Sequence, residues 1–399
     1  MGPIHTPIVM EEKKGCKNIV KEAARAESAG LTRADHRDIP LVKGLIMGNT
    51  SRARPNVTIH DVAAKAGVSI AAVSYAMNGK GAMADETRLR IQRMAQSLGY
   101  VPNALARGLH LRRTDVVGLV VPDIDNVYMS TIVRVLEKDA RGRGFFLLLG
   151  CTGGDTESEQ RLVRDFIAKS VDAFILFPAA SGSTARYRPL VQLMDHHRIP
   201  CVLVTHSLPA TGASAVELDI EEGQRLATAF ALDRGARHLV FAGGPRGRHF
   251  PEVRYRGFLR AHREAGVRPW RDAHLCVGES YTFEEGFAAA RPYAEGHKKL
   301  PDCFLAMNDA VAFGIHAVLS RHGIRVPEDV SLVGFDDVPL PTLHGLELTT
   351  MRIPVEEMSA ACVRILDTYR DGARTTVSNR FVPQLIRRGT VKNFKGGLS

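Results

Sequence analysis

The arrangement of apolar and polar positions changes character twice along the chain. Over residues 1–56 no periodicity is sustained, and charged stretches alternate with short apolar ones, so a weakly ordered extension is expected. Three short helical patterns then follow one another. Thr58, a suitable N-cap, precedes IHDVAAKAG, in which Ile59, Val62, Ala63 and Ala66 share one face and Gly67 is the stop. Ser69 precedes IAAVSYAMN, a second helix ending near Asn78 and Gly79. Asp85 opens a third, with Ile91, Met94, Ala95 and Leu98 on one face and Gly99 closing it.

From Thr114 the pattern becomes one of short apolar runs alternating with amphipathic stretches. The runs are Val116–Val121, Phe145–Leu149, Ala173–Phe177, Cys201–Val204, His238–Ala242, Cys303–Ala306 and Ser331–Phe335, with a strand-like FVPQLI near the end. Strand–helix alternation predicts crossover units and parallel sheet covered on both faces, an α/β class. The 286 residues after 113 exceed one sheet of ordinary size, so two similar lobes are expected.

Charge sharpens the picture. The net charge of +10 is uneven: residues 1–56 carry +4, residues 57–113 carry +5, and the remainder only +1. A basic helical segment before a nearly neutral body fits nucleic-acid contact or a solvated basic surface. The six cysteines, at 16, 151, 201, 276, 303 and 362, form no CxxC, so free thiols in a reducing cytoplasm are expected. No run approaches the ~18 apolar residues of a membrane span, and the N-terminus lacks a secretory apolar core.

The segment Thr58 to Met77 has helix-turn-helix spacing. Small Ala63 suits a close helix crossing, Gly67 a turn, and Val73 faces back into the pair. The same spacing also fits a plain helical hairpin. The longer run VTIHDVAAKAGVS, VSYAMNGKG and ETRLRIQRMAQSLGYVPNALARGL, Val57 to Leu109, resembles the DNA-binding head of the lactose/galactose-repressor (LacI/GalR) family. Body segments VVGLVVPDIDN, RYRGFLRAHREAG, FLAMNDAVAFG, VPEDVSLVGFDDVPL and LTTMRIPVEEM resemble the same family.

That resemblance implies a helix-turn-helix head at 57–102 and a hinge helix and linker at 103–113. A two-lobed, type I periplasmic-binding-protein-like body at 114–399 would follow, binding effector and dimerising. One lobe would span about 114–218 and 355–383, the other about 219–351 and the C-terminal end. It implies a cytoplasmic homodimer on a palindromic operator of double-stranded DNA, without cofactor, metal or membrane. With no heptads after FVPQLI, a dimer that does not tetramerise is expected.

By the same resemblance the positions that meet DNA are Thr58, Ser69, Ile70, Ala71, Ala72, Ser74, Tyr75, Asn78, Asn103, Ala106, Arg107 and Leu109. Ile70 and Ala71 offer only apolar contact, for example to a thymine methyl, and Tyr75 cannot make the bidentate contact of Arg to guanine. Tyr75 could instead pack on the third helix. Leu109 is the expected minor-groove wedge, or else an apolar linker residue.

In open α/β sheets ligands bind beyond the carboxyl ends of strands. Asn308, Asp309, Asp336 and Asp337 follow such runs, and Arg254 opens the helix after another. The resemblance assigns Arg254, Asn308 and Asp336 to the effector, and an Asp beside Arg and Asn suits a sugar or polyol. Asp336 could alternatively cap a helix or pair with Arg254. Across the cleft, Asp123, Asn126 and Tyr128 follow the first strand, Phe177 the third and Thr205 the fourth, with Leu218 at the lobe crossing. Tyr128 and Phe177 could stack on a sugar face or lie in the core.

No GxxxxGK[ST], HExxH, GxSxG or strand-borne GxGxxG occurs, and His196, His197 and His206 lack ligand spacing. A ligand-responsive regulator, most often a repressor, is therefore expected rather than an enzyme. The alternatives are a solute-binding protein of a transport system and, third, a sugar-processing enzyme.

Overall fold

Among the described residues up to Pro102, where the first of two compact units ends, the chain forms three helices: α1 (Ile59–Ala66), α2 (Ile70–Asn78) and α3 (Asp85–Leu98). The computed structural model describes residues 57–78, 83–101, 113–179, 184–205, 211–245, 249–278, 280–339, 346–372 and 375–394. The expected extension, and the hinge with Asn103, Ala106, Arg107 and Leu109, lie outside the described residues, as does His206.

Local chemistry explains the head. Thr58 and Asp61 form a reciprocal capping box, which holds the Asp61 carboxyl below its ordinary range through the Thr58 backbone N–H and hydroxyl. Gly67 takes the left-handed φ of 66° that ends α1 and turns the chain into α2. Val62, Val73, Ala76, Ile91 and Ala95 are fully enclosed where the three helices meet. The last carbonyls of α1 and α2 find donors on α3: Arg90 reaches the Ala66 oxygen at 3.2 Å and Gln92 the Ala76 oxygen at 2.9 Å. Nothing in the apolar pattern of α3 announces these two bonds.

The second unit begins at Asn103. Its first sheet is six-stranded and parallel, in the order β11 (Ser378–Phe381), β5 (Ser214–Leu218), β4 (Cys201–Thr205), β3 (Ala173–Leu176), β1 (Val116–Val121) and β2 (Phe146–Cys151). A four-stranded parallel sheet follows the order β7 (His274–Cys276), β6 (Leu239–Gly243), β8 (Cys303–Ala306) and β9 (Ser331–Val333). β10 (Thr350–Arg352) and β12 (Gln384–Ile386) pair antiparallel. Residues on the strands of both sheets are almost all buried, as parallel sheet covered by helices requires. The exceptions are the edge strands: β2, where Phe146 is 63% exposed, β11, which has no buried residue, and β7, of which only Leu275 is buried.

Helices α4 (Val127–Gly142), α5 (Thr156–Ala168), α6 (Thr184–His196), α7 (Ile220–Asp233), α8 (His249–Glu264), α9 (Phe283–Ala294) and α10 (Asp309–Arg321) intervene between successive strands. Helix α11 (Val355–Arg370) lies beside α4, with Ser359 donating to Asp139 at 2.6 Å. The chain thus returns from the second sheet to add β11 to the first.

Two expectations need correction. FVPQLI is not one strand: β11 ends at Phe381 and β12 starts at Gln384, in different sheets. Pro383 between them has no N–H to give to a ladder. The apolar runs also did not include β5, β7 and β10: β7 and β10 have three residues each, and β5 (SAVEL) is broken by Glu217.

Helices α9 and α10 touch backbone to backbone at Gly314, where an added Cβ would collide with the Phe283 carbonyl oxygen. Gly314→Ala is expected to destabilise the body by about 1–3 kcal/mol through overpacking. Urea unfolding checks this, as a lower midpoint at an unchanged m-value.

Candidate nucleic-acid interface and ligand cleft

The outward face of α2 starts at Ser69, whose hydroxyl accepts the Ala72 N–H at 3.2 Å and so serves as the helix cap. Ile70 is 42% and Tyr75 52% exposed, and Ala71 is exposed with them. Tyr75 is thus about half exposed, and it is not one of the residues packed against the head core. Ala72 and Ser74 are half-buried, and the Thr58 hydroxyl is already engaged with Asp61. Asn78 closes α2.

The carboxyl ends of the second sheet hold a buried charged cluster. Arg254, in the second turn of α8 and not at its very start, is 5% exposed. Its guanidinium lies 3.4 Å from the Phe335 ring centroid and donates to the Met307 carbonyl at 2.7 Å. Burial pulls its pKa down to about 10, and the Asp336 carboxyl works the other way. The guanidinium stays charged near neutrality.

Asp336 and Asp337 occupy a turn in which both have left-handed φ, 111° and 55°. Its neighbours hold that strained backbone in place. The Asp336 N–H donates to Met351 O at 2.8 Å, and the Asp337 carboxylate takes bonds from Arg352 at 2.7 Å and Arg388 at 2.6 Å. Asp309 clamps the same turn from α10, accepting the Val338 N–H at 3.0 Å and the Thr350 hydroxyl at 2.6 Å. Burial pushes the Asp309 carboxyl up to about 6. Burial, and then Asp309, raise the Asp336 carboxyl well above its ordinary range, against the pull of Arg254.

Asn308 caps α10: its Oδ1 accepts the Val311 N–H at 2.9 Å and its amide donates to Tyr281 O at 3.0 Å. One N–H of that amide is left over.

From the first turn of α4, past the end of β1, Tyr128 brings an enclosed hydroxyl with Thr205 as its neighbour. Burial and then the Asp336 carboxyl raise its pKa, with Thr205 opposing. Tyr128, Thr205, Arg254 and Asp336 thus form one electrostatic group at the strand ends of both sheets. The other expected residues do not join it. Asp123 accepts the Asn126 N–H at 3.1 Å, and Asn126 caps α4 through the Tyr128 N–H at 2.9 Å. Phe177 and Leu218 are packed into the apolar core.

Domain and fold comparisons agree with this two-part arrangement. Residues 58–103 match the family described as bacterial regulatory proteins, lacI family, and residues 228–391 match the periplasmic binding protein-like domain. The chain therefore carries a lacI-family DNA-binding domain followed by a periplasmic-binding-protein-like domain. Catabolite control protein A of Priestia megaterium is 29% identical over 82% of this chain and 96% of its own length. The Staphylococcus xylosus protein of the same name is 29% identical over 84% and 99%.

The solved lac repressor dimer bound to operator and the anti-inducer ONPF superposes with a TM-score of 0.73 at 21% identity, covering 84% of this chain and 99% of that one. The regulator CelR in complex with cellobiose does so with a TM-score of 0.60 at 27% identity, again over 84% and 99%. With its lacI-family DNA-binding domain and regulators as its relatives, the chain is a transcription regulator and not an enzyme. Among the described residues no helix is long and apolar enough to cross a membrane.

Sequence reasoning passed over Glu159, one of the acidic residues at the start of an amphipathic helix. It is 1% exposed in α5, and accepts the Ala179 N–H at 2.7 Å and the Tyr187 hydroxyl at 3.2 Å, tethering the segment after Phe177. Burial pushes its carboxyl up to about 7. Between about 4.5 and 7 the folded chain holds a proton that the unfolded chain releases, so stability from this group falls as pH rises. Glu159→Gln is expected to flatten, though not abolish, the loss of stability between about pH 5 and about pH 8. Asp309 contributes in the same direction and remains. Urea midpoints across that range check it; an unchanged slope would show that the Glu159 carboxyl is not the titrating group.

Proposed function

We propose that this regulator is a homodimeric repressor whose affinity for a palindromic operator is switched by a sugar-like small molecule held between the two lobes of its body. The observation that carries the ligand part is the convergence of Tyr128 and Thr205 with Arg254 and Asp336. An enclosed tyrosine hydroxyl beside Thr205, a buried cation and a buried carboxyl can donate to and accept from adjacent ligand hydroxyls. The cellobiose in the CelR complex supports the ligand class.

The dimer reading is supported by β2, an edge strand bearing exposed Phe146 and Leu149. The lacI-family DNA-binding domain supports a cytoplasmic location for the working protein. Asp123, Asn126, Phe177, Leu218 and Asn308 would then shape and brace the cleft. The segment 103–113 would act as the hinge, with Leu109 as the wedge in the minor groove.

Closure on a ligand can change DNA affinity only by the ligand's preference for one lobe geometry, and the coupling is reciprocal. Asp336→Ala is expected to keep operator affinity and to lose the response, as ligand binding weakens by roughly 1–3 kcal/mol. Fluorescence anisotropy on a selected operator, with and without sugars that raise the melting temperature of the wild-type protein, tests this. A wild-type ligand midpoint in Asp336→Ala would remove the cleft assignment. In the same assay Leu109→Ala is expected to weaken operator binding more than binding to a scrambled duplex. Equal losses on both would leave Leu109 a linker residue.

A further inference from the structure

The N-terminal residues of the second helix of a helix-turn-helix meet the base edges in the major groove. In this protein that stretch carries none of the side chains that make paired hydrogen bonds to bases. From Ser69 to Met77 there is no Arg, Lys, Asn, Gln, Asp or Glu. Arg or Lys on guanine, and Asn or Gln on adenine, are the usual bidentate readers. The Ser69 oxygen accepts the Ala72 N–H as the helix cap, and a single hydroxyl cannot make a bidentate contact to a base. Val73 and Ala76 face the head core.

What α2 presents outward is apolar: Ile70 at 42% exposure, Ala71, and the ring of Tyr75 at 52%. Ala71 and Tyr75 are four residues apart and lie on one face, with Ile70 beside them at the helix start. A β-branched side chain and an aromatic ring held out in water gain free energy only when something apolar covers them.

The major groove offers one apolar group, the C5-methyl of thymine. We infer that α2 reads its operator through thymine methyl groups, with Ile70 and Ala71 as the specificity-determining residues and Tyr75 flanking them with a single hydroxyl. The inference rests on the operator-binding reading above and goes beyond it by stating what each half-site must display. The +5 charge of residues 57–113 supplies attraction to phosphates irrespective of sequence, so discrimination in the major groove falls to methyl contact.

The test starts with full-length protein and a pool of random duplexes, selected at near-physiological salt. The enriched sequence is then resynthesised with each thymine in turn replaced by deoxyuridine, which removes the methyl and leaves base pairing intact. Fluorescence anisotropy at fixed salt is expected to show positions in each half-site where the replacement weakens binding roughly three- to fivefold, the worth of a buried methyl. Ile70→Ala, an exposed position outside the head core, is expected to lower affinity for the thymine duplex and shrink the deoxyuridine penalty at its own position. An enriched operator that tolerates every deoxyuridine within 1.5-fold (roughly the worth of an unburied methyl) would overturn the inference and leave operator binding standing. So would an Ile70→Ala protein with the full penalty at every position. A pool that enriches no sequence would overturn both readings.

Discussion

A guanidinium enclosed at the strand ends of the second sheet sets the terms for the cleft. Taking a charge out of water costs several kcal/mol unless its surroundings compensate. Arg254 is compensated by the face of Phe335, the Met307 carbonyl and the nearby Asp336 carboxyl. Each partner has to be brought to it. Met307 and Phe335 stand just beyond β8 and β9, so strand register delivers them. Asp336 is delivered only by a turn in which two successive non-glycine residues take left-handed φ. The clamps on that turn, Asp309 on Val338 and the two arginines on Asp337, are therefore part of the arrangement that lets Arg254 stay charged inside.

Much of the architecture could be read from the chain because its causes are local. Thr58 with Asp61, and the glycines at 67 and 99, act within a few residues of themselves. The buried faces of α1 and α3 repeat at helical spacing, and the long apolar strands stand out as unbroken runs. The cleft was partly legible for a different reason: parallel sheets expose ligands to residues just past their strands, so Asp336 and Thr205 were marked by position. What position could not say is which way a residue turns once past the strand. Phe177 stands just past β3 and Thr205 is the last residue of β4, yet Phe177 belongs to the core. Asn126 and Asn308 follow strands too, and both are occupied with capping the next helix.

Other features were hidden because they join distant segments. Arg90 and Gln92 act on carbonyls of two other helices, and nothing in α3 alone distinguishes them from solvated polar residues. Val382 and Pro383 carry the chain from one sheet toward the other. In sequence the apolar residues on either side of the proline read as a single strand, because alternation says nothing about which sheet a residue joins.

Glu159 and Asp309 show one physical solution used in both lobes. Each is a buried carboxyl in the first turn, or just past the start, of a helix, and each accepts a backbone N–H from a segment just past a strand end: Ala179 beyond β3 for Glu159, Val338 beyond β9 for Asp309. A helix N-terminus favours a negative group through its unpaired N–H groups and dipole. Burial works against the same charge, and both carboxyls end up titrating nearer neutrality than free ones. Burial wins in the carboxyl, but the tether on the loop does not depend on that balance. Whether the carboxyl is ionised or protonated, one of its oxygens still accepts the backbone N–H, so the segment stays tethered. Under the proposed function, a ligand between the lobes would meet strand-end segments already tethered at Ala179 and Val338. Less of its binding energy goes into ordering them, and more is left to distinguish one arrangement of the lobes from another.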